Sequence, residues 1–314
     1  MQARAFWTIA AGRGEIRAEA LPAPAPGEIR LTTIASGISR GTEALVFEGR
    51  VPESQFQAMR APLMAGAFPF PVKYGYSAVA QAENGARFFV LHPHQDAFNA
   101  PQTHAIPVPD AVPSARAVLA ANMETALNLL WDAAPLPGMR VLVIGAGVLG
   151  LLAGALVARI PATTVTLCDL DPARATPAAA LGCRFALPEA APGDQDLVFH
   201  TSASAAGLAH ALRAAGDEAA IIEASWYGDA APAVPLGEDF HARRLRIIGS
   251  QVGRVAPVMR ARRTPRARLA LALDLLGDPV FDILLEPPTK FVDLPAAMPR
   301  LLEGGLCHVI DYGA

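Results

Sequence analysis

Cysteine is scarce in this 314-residue chain: Cys168, Cys183 and Cys307 are the whole complement, and no CxxC pair occurs. That excludes a disulfide framework and a zinc site built from cysteines, and leaves the thiols as small buried hydrophobes at strand positions. Long apolar runs are missing as well. The longest are too short and too rich in glycine to cross a bilayer, and Met1-Gln2-Ala3-Arg4-Ala5-Phe6-Trp7 has no apolar stretch of a secretion signal. A cytoplasmic protein with no membrane partner is expected. Charge of one sign is lacking too: the formal net charge is −3, which gives no long-range pull towards nucleic acid. No internal repeat or low-complexity tract is evident, and the length suits two domains with separate cores.

What is present divides in two. Residues 1–113 hold short apolar runs between Pro and Gly, such as Pro22-Ala23-Pro24-Ala25-Pro26-Gly27 followed by 29–34, 76–81 and 88–91. That texture predicts a β-rich, barrel-like domain with many turns. From Ser114 long Ala/Leu segments alternate with strands, which predicts a doubly wound α/β sheet over 114–279. Strands are expected at 141–144, 164–168, 183–187, 197–201, 219–224 and 245–249, with helices over 149–159, 172–181 and 205–214, and a further helix over 269–276. The closing stretch reads as short strands and turns, so 280–314 is assigned back to the first domain.

The most informative segment is Val141-Leu142-Val143-Ile144-Gly145-Ala146-Gly147-Val148-Leu149-Gly150, followed by Thr164-Val165-Thr166-Leu167-Cys168-Asp169. It has the form strand, Gly-x-Gly-x-x-Gly turn, helix, second strand, acid, as a dinucleotide-binding Rossmann unit requires. Gly145 permits the tight turn, Gly147 lets backbone N–H groups approach a pyrophosphate, and Gly150 lets helix and strand pack closely. The helix N-terminus, with Val148 and Leu149 in its first turn, favours negative charge. Asp169 can accept hydrogen bonds from ribose hydroxyls and repels a 2′-phosphate, so NAD is expected over NADP.

With these residues in view, the chain resembles the medium-chain dehydrogenase/reductase superfamily over nearly its whole length. Besides the glycine turn, the resemblance rests on Ala35-Ser36-Gly37-Ile38-Ser39-Arg40-Gly41-Thr42-Glu43, on Tyr74-Gly75-Tyr76-Ser77 and on Asn122-Met123-Glu124-Thr125-Ala126-Leu127. It implies a GroES-like β-barrel domain joined to a Rossmann domain, and a homodimer. The departures matter most. Where zinc members carry a cysteine this chain has Ser39, or Arg40 if the one-residue insertion precedes it; where they carry histidine it has Tyr76; and the third ligand position falls near Ala121. The four-cysteine structural lobe is replaced by the short 91–101 segment. The resemblance therefore implies the zinc-free branch, akin to its quinone and enoyl reductases, with no metal ligand assigned.

Without a Lewis acid, another group must supply a proton. Tyr76, matched to a zinc ligand, is the preferred acid, with Lys73 as a helping cation, Ser39 beside it, and His94 as a proton relay or substrate contact; alternatively an enone or quinone substrate needs no acid. His92, His94 and Asp96 are chemically able to bind metal, but a proline-bearing loop favours a structural reading. Glu43 and Glu124 are base or salt-bridge candidates. The resemblance places Thr125, Ser225, Ser250 and Gln251 near the nicotinamide, Arg174 near the adenosine ribose and, in one alignment, Arg40 at the pyrophosphate, while Ser202 ends the fourth strand. Trp226 and Tyr227 either wall the substrate pocket or cap the core. An arginine-rich run over 254–268 reads as a solvated loop, or as recognition of an anionic substrate or partner subunit. The leading expectation is an NAD(P)-dependent oxidoreductase acting on a small carbonyl, enone, quinone or alcohol. The alternatives are an inert nucleotide sensor and a biosynthetic enzyme resembling the tetrapyrrole dehydrogenases that carry a Gly-Ile-Ser-x-Gly-Thr-Glu segment.

Overall fold

Apolar alternation carries the first strands of the computed structural model, which describes residues 1–313. β1 (Gln2–Ala10) pairs antiparallel with β2 (Arg13–Ala20), and β3 (Glu28–Gly37) leads through Ser39 into helix α1 (Arg40–Phe47). Six short strands follow: β4 (Ala65–Gly66), β5 (Val72–Lys73), β6 (Ala78–Gln81), β7 (Arg87–Val90), β8 (Ala97–Pro101) and β9 (Ile106–Pro107). Helices α2 (Ser114–Ala117) and α3 (Ala120–Ala133) come next.

Six parallel strands then form one sheet: β10 (Arg140–Ile144), β11 (Thr164–Cys168), β12 (Arg184–Ala186), β13 (Gln195–His200), β14 (Ala215–Glu223) and β15 (Arg246–Gly249). Their order, β12-β11-β10-β13-β14-β15, is the doubly wound Rossmann arrangement. Helices α4 (Val148–Ala158), α5 (Ala175–Ala180) and α6 (Ala205–Ala214) connect them, α6 with the predicted bounds. The strands are near-continuous apolar runs because helices cover a parallel sheet, and residues 148–158 are apolar all round because α4 is buried. Beyond β14 come α7 (Asp239–Ala242), α8 (Pro257–Arg260) and α9 (Pro265–Leu275).

The chain closes with β16 (Leu285–Lys290), α10 (Leu294–Glu303) and β17 (Cys307–Asp311). Helix α10 corrects the expectation of strands and turns alone in this stretch. Strand β17 enters a seven-stranded sheet of order β16-β17-β3-β6-β7-β9 with β8 paired to β3, while β2-β1-β5-β4 forms a second sheet. Two compact units result, Met1–Ala121 with Leu269–Ala314, and Asn122–Arg268. They divide inside α3 and α9, whereas the sequence reading set the domain bounds at 113/114 and 279/280. Among the described residues no helix is long and apolar enough to cross a membrane.

Candidate functional site

The three glycines of the turn after β10 sit in three different environments. Gly145 has φ +103°, and a Cβ there would lie 2.8 Å from the Ser202 nitrogen. At Gly150 a Cβ would lie 1.9 Å from the Gly145 carbonyl oxygen, so helix and turn touch through backbone. Nothing stands within 4 Å of a Cβ at Gly147, the residue preceding the first turn of α4. The turn is thus closed on the protein side and open at the helix N-terminus, where first-turn N–H groups at Val148, Leu149 and Gly150 have no carbonyl one turn earlier. Asp169, at the end of β11, accepts from the Ala146 N–H at 2.6 Å and the Asp171 N–H at 3.0 Å, which sets its carboxylate against the turn. Arg174 follows and pairs with Asp171 at 3.2 Å.

The ends of the central strands carry a polar group that the sequence reading missed. His200 and Glu223 are register partners on β13 and β14, and His200 is fully buried. Its Nδ1 lies 2.7 Å from Glu223 Oε2 and its Nε2 2.7 Å from Ser202 Oγ. Tyr227 donates to the same carboxylate at 3.2 Å and stacks on the imidazole, and Ser225 Oγ accepts from the Ala203 N–H at 3.0 Å. Burial alone would raise the Glu223 pKa, but the His200 and Ser225 hydrogen bonds outweigh it and hold the carboxyl below its ordinary value. The signal was available: both residues end adjacent parallel strands. Ser250 donates to Asp132 at 2.5 Å, Gln251 accepts from the Gly253 N–H, and Thr125 lies on α3. Glu124 is bound within this unit to the buried Arg268 at 3.0 Å.

In the first unit the candidates converge on His94. Its Nε2 lies 2.9 Å from Glu43 Oε2 and its Nδ1 2.7 Å from Ser36 Oγ, which in turn lies 2.9 Å from Tyr312 OH. His94, Glu43 and Ser36 are all buried. Glu43 projects from α1, and its other oxygen accepts from the Ser39 N–H at 2.7 Å. The Ser39 and Thr42 side chains lie beside the Tyr76 phenol. Burial first, and the charge of Glu43 second, push its pKa up to about 12 against the lowering effect of those two hydroxyls. The phenol is protonated at neutral pH, as an unshifted tyrosine also is. Ser36 and Tyr312, 276 positions apart, gave no sign in the sequence because they meet only when β17 pairs with β3.

One expectation needs correction. Lys73 does not face Tyr76: its ammonium is buried between Glu19 and Gln95, at 2.7 Å from each. His92, His94 and Asp96, for which the sequence favours a structural reading, turn to different partners: His92 stacks on Phe98, His94 bonds Glu43 and Asp96 pairs with Arg4. Within the first unit Arg40 donates to the Glu303 carbonyl at 3.4 Å. Among the described residues no group of three or more His, Cys, Asp or Glu side chains could hold a metal ion. The three cysteines are buried thiols, and burial pushes Cys168 up to about 11 and Cys183 and Cys307 up to about 12.

No protein-family model and no curated protein matches this chain. Solved structures do match in fold. An L-idonate 5-dehydrogenase of Escherichia coli superposes with a TM-score of 0.81 at 13% identity, covering 99% of both chains. A benzyl alcohol dehydrogenase of Acinetobacter calcoaceticus gives 0.79 at 14%, covering 100% of both. An alcohol dehydrogenase of Escherichia coli CFT073 complexed with NADH gives 0.78 at 15%, covering 99% of both. At these identities the likeness establishes the two-domain α/β fold.

Proposed function

We propose that this protein is a zinc-independent, nicotinamide-dependent oxidoreductase acting on a carbonyl, enone, quinone or alcohol, with NAD favoured over NADP. The observation that carries the reading is the contrast among the three glycines: two are packed against backbone and the middle one faces open space at a helix N-terminus, as a pyrophosphate cradle demands. The fold shared with dehydrogenases, one of them complexed with NADH, points the same way.

The first-turn amides of α4 would hold the pyrophosphate, Asp169 the adenosine ribose, and the ends of β14 and β15 at Ser225 and Ser250 the nicotinamide. A nicotinamide bound there supplies or accepts a hydride. The chain's own residues handle the proton. Tyr76, whose phenol is protonated at neutral pH as in any tyrosine, donates to the substrate oxygen, and the neighbouring Ser39 and Thr42 hydroxyls, which lower its pKa, stabilise the phenolate as it forms. His94, hydrogen-bonded to Glu43 and Ser36, is the candidate relay for that proton. The donor chemistry supports independence from zinc: serine and tyrosine stand at the positions matched to its ligands, and His94 has a single carboxylate partner.

Titration with NADH tests the nucleotide half. Gly147→Ala leaves the fold intact, because its Cβ meets nothing, and weakens NADH binding by about tenfold or more. Gly150→Ala collides with backbone and costs both binding and about 1–3 kcal/mol of stability. Unchanged NADH affinity in Gly147→Ala would refute the cradle. Tyr76→Phe tests the other half, with kcat on a reducible substrate falling about 10²–10⁴-fold while the NADH Kd holds. About one zinc per purified chain would overturn the zinc-independent mechanism.

A further inference from the structure

Between Phe240 and Leu273 the sequence has nine arginines and no aspartate or glutamate, in a chain whose net charge is −3. Three of the nine, Arg254, Arg260 and Arg263, line a depression of about 470 Å³ together with Val255, Thr264 and Pro265. Among the described residues none of the three is paired with a carboxylate, whereas Arg243, Arg244 and Arg268 are. Like charges brought together repel unless something neutralises them.

The loop that bears them is built, not loose. Arg268, buried beneath it, donates to Glu124 and Asn128 of α3 and to the carbonyls of Val252 and Arg254. Asn128 also accepts from the Ala256 N–H at 3.0 Å, and Val255 and Ala256 are buried. The Nε of Arg260 donates to the Val255 carbonyl at 3.1 Å, which fixes that side chain along the wall. A single turn of α8, with the Arg262 and Arg263 N–H groups both bonded to the Met259 carbonyl, then carries the chain to Arg263. A buried arginine thus holds the backbone at Val252 and Arg254, and the exposed Arg260 is fixed by its own bond. Clustered guanidinium forks suit oxygen anions, which each can bind bidentately.

We propose that the Arg254, Arg260 and Arg263 depression is a binding site for a small, doubly charged oxyanion of the phosphate type, free or carried on a larger molecule. The site is separate from the glycine turn and does not depend on the nucleotide reading. Inorganic phosphate and pyrophosphate are the probes, titrated into the full chain at constant ionic strength with binding followed by calorimetry. Saturable binding is expected. It should weaken by about tenfold or more in the double variant Arg254→Gln, Arg263→Gln, which spares Arg260 and its hold on Val255, while NADH affinity stays unchanged. Absence of saturable binding, or binding equal in the variant, would overturn the proposal. Pyrophosphate that is displaced by NADH and insensitive to the arginine changes would place the anion at the glycine turn and overturn it too. Vesicles containing phosphatidic acid separate the sources: co-sedimentation lost in the variant, together with phosphate binding in solution, assigns a headgroup phosphate, whereas co-sedimentation without binding of free phosphate assigns the patch to a charged surface and sinks the site.

Discussion

His92 shows how burial alone sets a residue's chemistry. Its ring is buried and stacked on Phe98 with centroids 3.6 Å apart, and its Nδ1 lies 2.9 Å from the Pro93 carbonyl. Desolvation pulls its pKa down to about 3, the charges of Lys73 and His94 adding to the effect and the Pro93 carbonyl opposing it. The native ring is therefore neutral at pH values where the unfolded chain already binds a proton. Stability must fall as pH drops below the ordinary value near 6.5, and the loss levels off only near pH 3. One pKa unit is worth about 1.4 kcal/mol, so lowering pH from 6.5 to 5 costs about 2 kcal/mol through this residue. His92→Phe keeps the stacking ring and removes the titration. Its urea midpoint should drop less between pH 7.5 and 5 than that of the parent, and an equal drop would show that His92 is not responsible. The sequence grouped His92 with His94 and Asp96 as chemically able neighbours. Spacing says which residues are close along the chain, and packing decides which way each one turns.

Elements with strong local signals were legible. The six strands around the glycine turn and helix α6 follow from apolar runs and turn residues, and Asp169 stands at the end of β11 where the βαβ pattern puts it. Helix α10 was not legible, because Pro295 and Pro299 read as breakers. Pro295 stands near the start, where its missing N–H has no intrahelical partner to lose. Pro299 is inside the helix and does cost a hydrogen bond. The helix forms because Leu294, Met298 and Leu301 fall at i, i+4 and i+7 and bury one face against Phe6 and Phe291. Pro299 itself is exposed. Replacing it with alanine should therefore stabilise the protein, by up to about 2 kcal/mol once the roughly 3 kcal/mol penalty of an interior proline is reduced by the freer unfolded chain. Thermal denaturation would register this as a higher midpoint; a lower one would mean that the helix has adapted to its proline.

At the scale of the molecule, two hydrophobic cores can each be assigned to one unit. One, around Leu142, Val198 and Ile221, belongs wholly to the second unit, and another, around Phe6, Leu294 and Ile310, wholly to the first. The first unit is assembled from the two ends of the chain. Its N-terminal part is fastened to the return segment by the β17–β3 ladder and by the buried Arg116, whose fork donates to Asp282 at 2.7 and 2.6 Å. Such closure pairs residues more than 160 positions apart, which is why the His94, Ser36 and Tyr312 chain could not be foreseen while the nucleotide half, built from consecutive elements, could. Separate cores should also respond separately. Leu294→Ala opens a cavity in the first unit and should cost it about 2–5 kcal/mol, seen as faster hydrogen exchange in β1 and β3. NADH at about a hundred times its Kd should stabilise the second unit by about 2.7 kcal/mol, seen as slower exchange in β10 to β15, and by the same amount in the variant as in the parent. If Leu294→Ala speeds exchange equally through β10 to β15, or abolishes the NADH effect there, the two units are one cooperative body and nucleotide binding draws on both.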